Sequence, residues 1–336
     1  MIRKDRRSRL SVAALLSILA SLSAPLLQGS SITTCPAGGT PLLICATYNS
    51  SITGNANAAT IEGTINAAII QIESHFYNPI TVNISFDDSS TLGSNVGQNN
   101  ASSYAITYQS FIQALQQDSN QPYVAAALAS LQGTTNPVNG NTQMAIKAAD
   151  ARALGITIPN LPSSDGNVSL NLNVMNLSRS TSPTGSQYDL ETVAMHEITE
   201  VLGLGSTLGQ SFQSTGLVSP EDLFRYDTAG TRTFATGTAA WFEITPGTRI
   251  AQFNSSAGLD YGDWQNVSGH VHIQDAVGTQ GVAGQVNLST AEIEALAVIG
   301  YQTSTATATP EPSTWILFLT GAAIYGLLRA RYTEAK

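Results

Sequence analysis

The sequence predicts an α+β fold in which the helix that carries the chemistry follows a strand. Three patterns predict it. Ile80, Val82, Ile84 and Phe86 alternate with other residues, and so do Val168, Leu170, Leu172 and Val174; a period of two marks half-buried strands. Ile61, Ile65, Ala68, Ile69 and Ile72 recur at three- and four-residue steps, which puts one buried face on a helix. Apolar runs edged by arginines stand at both ends of the 336-residue chain, so the folded body lies between them.

In order, the body opens with a helix over Ala58–Phe76 and a strand over Ile80–Phe86. Helices are expected over Tyr104–Gln117, Tyr123–Leu131 and Gln143–Leu154, then a second strand over Val168–Leu177. Asp189–Leu202 reads as a helix that Gly203 and Gly205 end. Trp241–Trp264 is turn-rich with short strand-like runs. Ser289-Thr290-Ala291-Glu292 is a capping box that opens a last helix closing at Gly300.

The first residues carry Arg3, Lys4, Arg6, Arg7 and Arg9, followed by an apolar run from Leu10 to about Leu27. A basic start, a short apolar middle and small polar residues predict a signal peptide over residues 1–30, cut by signal peptidase. Arg6-Arg7 hints at twin-arginine export, which the residues after it do not support. At the other end, residues 302–309 form a Ser/Thr/Ala linker. Pro310-Glu311-Pro312 follows, then an apolar run Trp315–Leu328, then Arg329 and Arg331. The run is shorter than an ordinary span of about twenty residues, though a thin bilayer could accept it. The three parts resemble the PEP-CTERM sorting signal. That resemblance implies an anchor over residues 310–336 in the inner membrane, processing by an exosortase-type enzyme, and a final place at the cell surface or outside. A plain C-terminal anchor would also tether the chain.

Between the ends, residues 31–301 are enough for one large domain or two small ones. Net charge is −9, and of 14 lysines and arginines many crowd the two ends, so the body itself is strongly acidic. Such a surface repels nucleic acid and anionic lipid and suits a soluble exported protein or one that collects cations. The two cysteines, Cys35 and Cys45, can pair in an exported chain, closing a short loop near the start of the body. With no other cysteine, a thiolate metal site or cysteine nucleophile in the body is excluded.

The chemistry points to Met195-His196-Glu197-Ile198-Thr199-Glu200-Val201-Leu202-Gly203. His196 and Glu200 are four apart and share a helix face. This is the spacing of the first two zinc ligands in H-E-x-x-H metalloproteases, where the intervening Glu, here Glu197, is the general base. A carboxylate can replace imidazole on zinc, at the cost of Lewis acidity. A solvated helix face with one satisfied histidine would show the same spacing. Against that stand the apolar neighbours Val193, Ala194, Val201 and Leu204, a preceding strand, and Gly203 seven after His196.

HEITEVLG is close to the His-Glu-Ile-Ser-Glu-Val-Met-Gly helix of a family of exported, PEP-CTERM-tagged bacterial proteins regarded as metalloproteases. ADARALG (Ala149–Gly155), DLFRY (Asp222–Tyr226), DYGDW (Asp260–Trp264), HIQDAVGT (His272–Thr279) and LAVIGY (Leu296–Tyr301) extend the resemblance in order over most of the body. It implies a zincin-like domain over residues 31–301 and a metal-dependent hydrolase. The chain departs from the metzincin pattern: Ser206 stands ten after His196, and no methionine follows Met195. The third ligand must come from far along the chain or be absent. His272 is the expected one, with His270, Asp275 and Asp222 as alternatives; Asp222 would equally serve as a helix cap or a partner of Arg225. His75 reads as a core or edge residue, and Tyr226 as a packing aromatic that could also donate to an oxyanion. Two readings of function result. One is an exported zinc peptidase or related amide hydrolase acting on a peptide or protein, with His196, Glu200 and His272 holding Zn²⁺ and Glu197 as base. The other is a catalytically inactive zincin-fold protein of the surface or extracellular matrix.

Overall fold

In a computed structural model the protein is described over residues 31–93, 95–210, 215–267, 271–281 and 286–303. The expected signal peptide and sorting anchor lie outside the described residues, as does most of the linker. Among the described residues no helix is long and apolar enough to cross a membrane.

The fold is a mixed α+β arrangement built on one five-stranded sheet. β1 (Ile32–Thr34) and β2 (Leu43–Tyr48) are joined by the Cys35–Cys45 disulfide, which forms as the spacing allows. α1 (Ser50–Thr53) and α2 (Ala58–Glu73) lead to β3 (Thr81–Asp88) and then to β4 (Gly97–Asn100). β5 (Ser103–Thr107), α3 (Tyr108–Gln117), α4 (Val124–Ser130), β6 (Gln143–Lys147) and α5 (Ala148–Ala153) form a long excursion that returns as β7 (Gly166–Leu170). The sheet order is β1-β2-β3-β7-β4, with β2, β3 and β7 parallel and the two edge strands antiparallel.

Alternation decides what each sheet face does. Val82, Ile84 and Phe86 register with Ile44, Ala46 and Tyr48 on one side and with Gly166 and Val168 on the other, and their side chains are buried. That face is covered by α2, whose Ile61, Ile65, Ala68, Ile69 and Ile72 are fully buried, and by the later helix α6. Each such isoleucine contributes about 1.5–3 kcal/mol of burial. The opposite face is polar. Ser85 donates to Asn167 (2.7 Å), and Asn167 and Ser169 both donate to Asp87 (2.7 and 3.1 Å).

After β7 come a 3₁₀ turn (Leu172–Val174), β8 (Met175–Asn176), β9 (Tyr188–Asp189) and α6 (Leu190–Leu202). A second layer follows: β10 (Arg225–Tyr226), β11 (Ala240–Phe242) and β12 (Ala251–Phe253) form a small antiparallel sheet, and α7 (Thr290–Ile299) ends the described chain with the expected capping box. Phe242, Phe253 and Trp264 pack ring against ring at 5.1–6.3 Å at its centre.

Three expected elements are corrected. Tyr104–Gln117 and Gln143–Leu154 are each a strand followed by a helix, because β5 and β6 pair with each other before the helices start. Thr107 marks the first switch by accepting the Ser110 N–H (3.0 Å). The strand expected over Val168–Leu177 breaks after Leu170, where the Leu172 N–H turns to Asp88 (3.3 Å) instead of a ladder partner.

Asp150, in α5, is wholly buried and neither carboxylate oxygen has a hydrogen-bond partner. Burial pushes its pKa well above the ordinary value, against a smaller downward pull from Lys147. The fold therefore keeps the proton at pH values where the unfolded chain has lost it. The resulting stability is full below about pH 4 and is lost as pH rises toward the folded value. Asp150→Asn should gain stability relative to wild type between pH 5 and pH 8 in urea melts. A difference that stays constant across that range would show that Asp150 is not held protonated.

Candidate metal centre

α6 starts where Asp189 accepts the Thr192 N–H (3.2 Å) and ends at Gly203, so it runs as expected with the polar trio in its second half. Arg179 fixes its first turn, donating to Asp189 and Glu191 (2.8 Å each) and to the Val286 carbonyl (2.8 Å). The last turn is capped by Lys147, whose Nζ donates to the carbonyls of Glu200 (2.6 Å) and Leu204 (2.8 Å). That ties β6 to the end of α6 and to the chain leaving it.

His196, Glu197 and Glu200 come together: one ligand atom of each lies within 4.8 Å of the others, a group that could hold a metal ion. His196 Nδ1 is 2.7 Å from the Ile273 carbonyl, which can only accept. The Nδ1 proton is thereby fixed and Nε2 faces the carboxylates, the arrangement that orients a ligating imidazole. Nε2 is 3.7 Å from Glu200 Oε1 and 3.9 Å from Asp263 Oδ1. Asn99 of β4 donates to Glu197 (3.1 Å) and also contacts Glu200 Oε2.

Charge crowding dominates the electrostatics. Burial alone would lower the His196 pKa, but Asp263, Glu200 and Glu197 outweigh it and raise it to about 10. Glu200 is raised to about 7 by burial and then by Glu197, against His196. Burial lifts Asp263 well above the carboxylate range, and Asp260 to about 6. Asp263 Oδ1 is buried with no hydrogen-bond partner. One freed imidazole nitrogen and several buried carboxylate oxygens, one of them orphaned, fit a divalent cation: its charge is what such a set lacks.

The group opens onto a cleft of about 710 Å³, bordered by β4, α6 and residues 258–263 and 271–279. A smaller cavity of about 470 Å³ lies on the far side of Glu200 and shares Asn99, Gln210 and Asp260 with the cleft. Gly97 lets β4 come this close. A Cβ there would stand 2.9 Å from Val193 Cγ1 and closer still to the Glu197 carboxylate.

The other expected residues fare differently. His272 lines the cleft but is not one of the clustered residues; its Nδ1 is hydrogen-bonded with Ser289 Oγ (3.0 Å) and its backbone N–H donates to Asp275 (3.0 Å). His270 lies outside the described residues. Asp275 lines the cleft and is raised to about 6 by burial. Asp222 is engaged away from the cluster: the Ser206 hydroxyl and the backbone N–H groups of Thr207 (3.1 Å) and Ser219 (2.9 Å) donate to it. It is not the cap of the 3₁₀ turn Glu221–Phe224, where Pro220 holds that position, and among the described residues it makes no ion pair to Arg225. Tyr226 is buried in β10 with the Arg232 guanidinium 4.8 Å over its ring, a packing position. His75 is half-buried against Phe76, at an edge as expected, and burial lowers its pKa. Sequence reasoning missed Asn99, Asp260 and Asp263; DYGDW was the available signal for the last two.

Gly97→Ala should force β4 or Glu197 aside, at about 1–3 kcal/mol in a denaturant melt, the range for overpacking a filled site. An unchanged melt would mean that β4 can stand off α6 freely. No protein-family model, curated protein or solved structure matches the chain.

Proposed function

We propose that the chain is an exported, metal-dependent peptidase or related amide hydrolase, with zinc as the metal. The observation that carries this reading is the meeting of His196, Glu197 and Glu200 on one buried helix face, with Nδ1 of His196 tied back and Nε2 turned toward the carboxylates. His196 and Glu200 would hold the cation. When bound, it would supply Lewis acidity to a water and to the scissile carbonyl. Glu197 is the remaining carboxylate of the trio; it takes the proton of the attacking water and passes it to the leaving amine. Asn99 keeps Glu197 turned toward Glu200. β4 is an edge strand on the cleft wall, and an edge of this kind can hydrogen-bond an extended peptide. A sheet with an antiparallel edge strand beside an H-E-x-x-E helix supports a zincin-like fold, and with the sequence resemblance it supports membership of the exported metalloprotease-type proteins.

Glu197→Gln should lower hydrolysis of casein or a peptide library by about 10²–10⁴-fold while zinc stays bound. Cleavage at the wild-type rate would remove Glu197 from the mechanism. Zinc bound by a wild-type protein that cleaves nothing would favour the inactive surface or matrix protein instead.

The proposed location rests on Pro310-Glu311-Pro312, the short apolar run and the basic tail. A chain stopped at Thr305 should appear in the medium, while the full chain stays cell-associated until an exosortase-type enzyme processes it. Equal release of both forms from a host that has the sorting enzyme would reject the anchor.

A further inference from the structure

We infer that Asp263 is the third protein ligand of the metal, in place of His272. The inference rests on the hydrolase reading only in that a metal binds at His196 and Glu200. Among the described residues, His196 Nε2 has two carboxylates within ion-pair reach, Glu200 at 3.7 Å and Asp263 at 3.9 Å. Glu200 has the Asn99 amide for company; Asp263 Oδ1 has no donor at all, although it is buried. A carboxylate buried without a donor is costly to ionise, and a cation beside it removes that cost.

Nothing about Asp263 is loose. Its carbonyl accepts the Asn254 N–H (2.7 Å), and the next N–H, that of Trp264, goes to Gln274 (2.7 Å). The Trp264 indole donates to Glu292 (3.0 Å) and packs 5.1 Å from Phe253. Arg225 is buried and stacked 4.5 Å over Phe253. It donates to the carbonyls of Tyr261 (2.6 Å) and Asn254 (3.2 Å), pinning the turn that ends at Asp263. Gly262 lets this turn lie directly on the chain leaving α6, since a Cβ would fall 2.5 Å from Gly205 Cα. The main chain is held on both sides while Oδ1 is left without a hydrogen-bond donor, 3.9 Å from Nε2. A ligand prepared for a cation has these properties.

His272 is placed differently: among the described residues its ion-pair reach extends to Glu292 and not to Glu197 or Glu200. Its Nδ1 is engaged by Ser289, which belongs to the capping box of α7, and Glu292 of the same box lies 3.7 Å away. It borders the cleft as part of the α7 cap. The ligand set is then one imidazole and two carboxylates, which together neutralise a divalent ion.

The test measures metal, not turnover. Zn²⁺ affinity of the purified full chain is read by competition with a chromogenic chelator for wild type, Asp263→Asn and His272→Ala. Asp263→Asn should weaken binding by ~100-fold or more, at least the loss seen when groups supporting a ligand are removed, and His272→Ala should stay near wild type. X-ray absorption of zinc-loaded wild type gives a reading that does not depend on any variant folding: it should count one imidazole. Wild-type affinity in Asp263→Asn, two imidazoles in the wild-type spectrum, or no zinc bound by wild type would each overturn the assignment. Zinc lost from Asp263→Asn, in a wild type that cleaves no peptide, would uphold Asp263 as ligand and reject the hydrolase reading.

Discussion

The hydrogen bond from His196 Nδ1–H to the Ile273 carbonyl ties together parts of the chain that are far apart in sequence. It sets the imidazole tautomer, and with it the direction of Nε2. It also requires residues 271–275 to lie along α6. Gln274 secures that contact independently, donating to the His196 carbonyl (3.0 Å) and to Thr199 Oγ1 (2.7 Å). Trp264 then pairs with Gln274 and Ala276 of the same stretch, so the turn carrying Asp260 and Asp263 is brought to the cluster by the contact that orients the histidine. If that segment moved, both the tautomer and the facing carboxylates would be lost together.

The sheet supplies the other wall, and glycine sets the distance. α6 crosses the apolar face of β7 at Gly166, where a Cβ would sit 2.8 Å from Val201 Cγ2, and meets β4 at Gly97. Two positions without side chains thus let a helix carrying two buried glutamates settle close enough for Asn99 to reach both. The polar reverse face of the sheet fits this arrangement. Parallel strands are usually covered on both sides, but here Asn, Ser and Asp side chains bond across β3 and β7, so the face can stand without a second helical layer.

Much of this is written locally in the sequence, and part of it is not. α2, β3, α6 and α7 were legible because each repeats its own period over enough residues, or carries its own cap, as Ser289 and Glu292 do. β5 and β6 were not, because Ser103–Thr107 and Gln143–Lys147 are short and run into helices without a break; only their pairing with each other makes them strands. At the site, His196, Glu197 and Glu200 were visible because helical spacing is a local fact. The turn holding Asp263 depends on Arg225, Trp264, Gly262 and Gln274 meeting in space, and no spacing along the chain encodes that. His272 drew attention through its residue type and neighbours, while the capping Ser289 that occupies its ring lies seventeen positions on.

A ligand set drawn from α6 and from the turn at Asp263 would have an energetic consequence. Without a cation, Glu200, Asp260 and Asp263 crowd together in a buried space with Glu197 and are pushed toward protonation by desolvation and by one another. The aromatic packing around Phe253 and Trp264 and the anchoring of Arg225 hold that unfavourable grouping together. A bound divalent ion would convert the same crowding into attraction, and because His196 and Asp263 are far apart in sequence its binding energy would act on the whole fold rather than on α6 alone. The same neutralisation weakens the ion as a Lewis acid, since two carboxylates offset its charge where neutral imidazoles would not. Catalysis at such a centre would lean more on Glu197 than on the metal, which makes the placement of that one side chain, between Asn99 and the bare backbone of Gly97, the point where fold and chemistry meet.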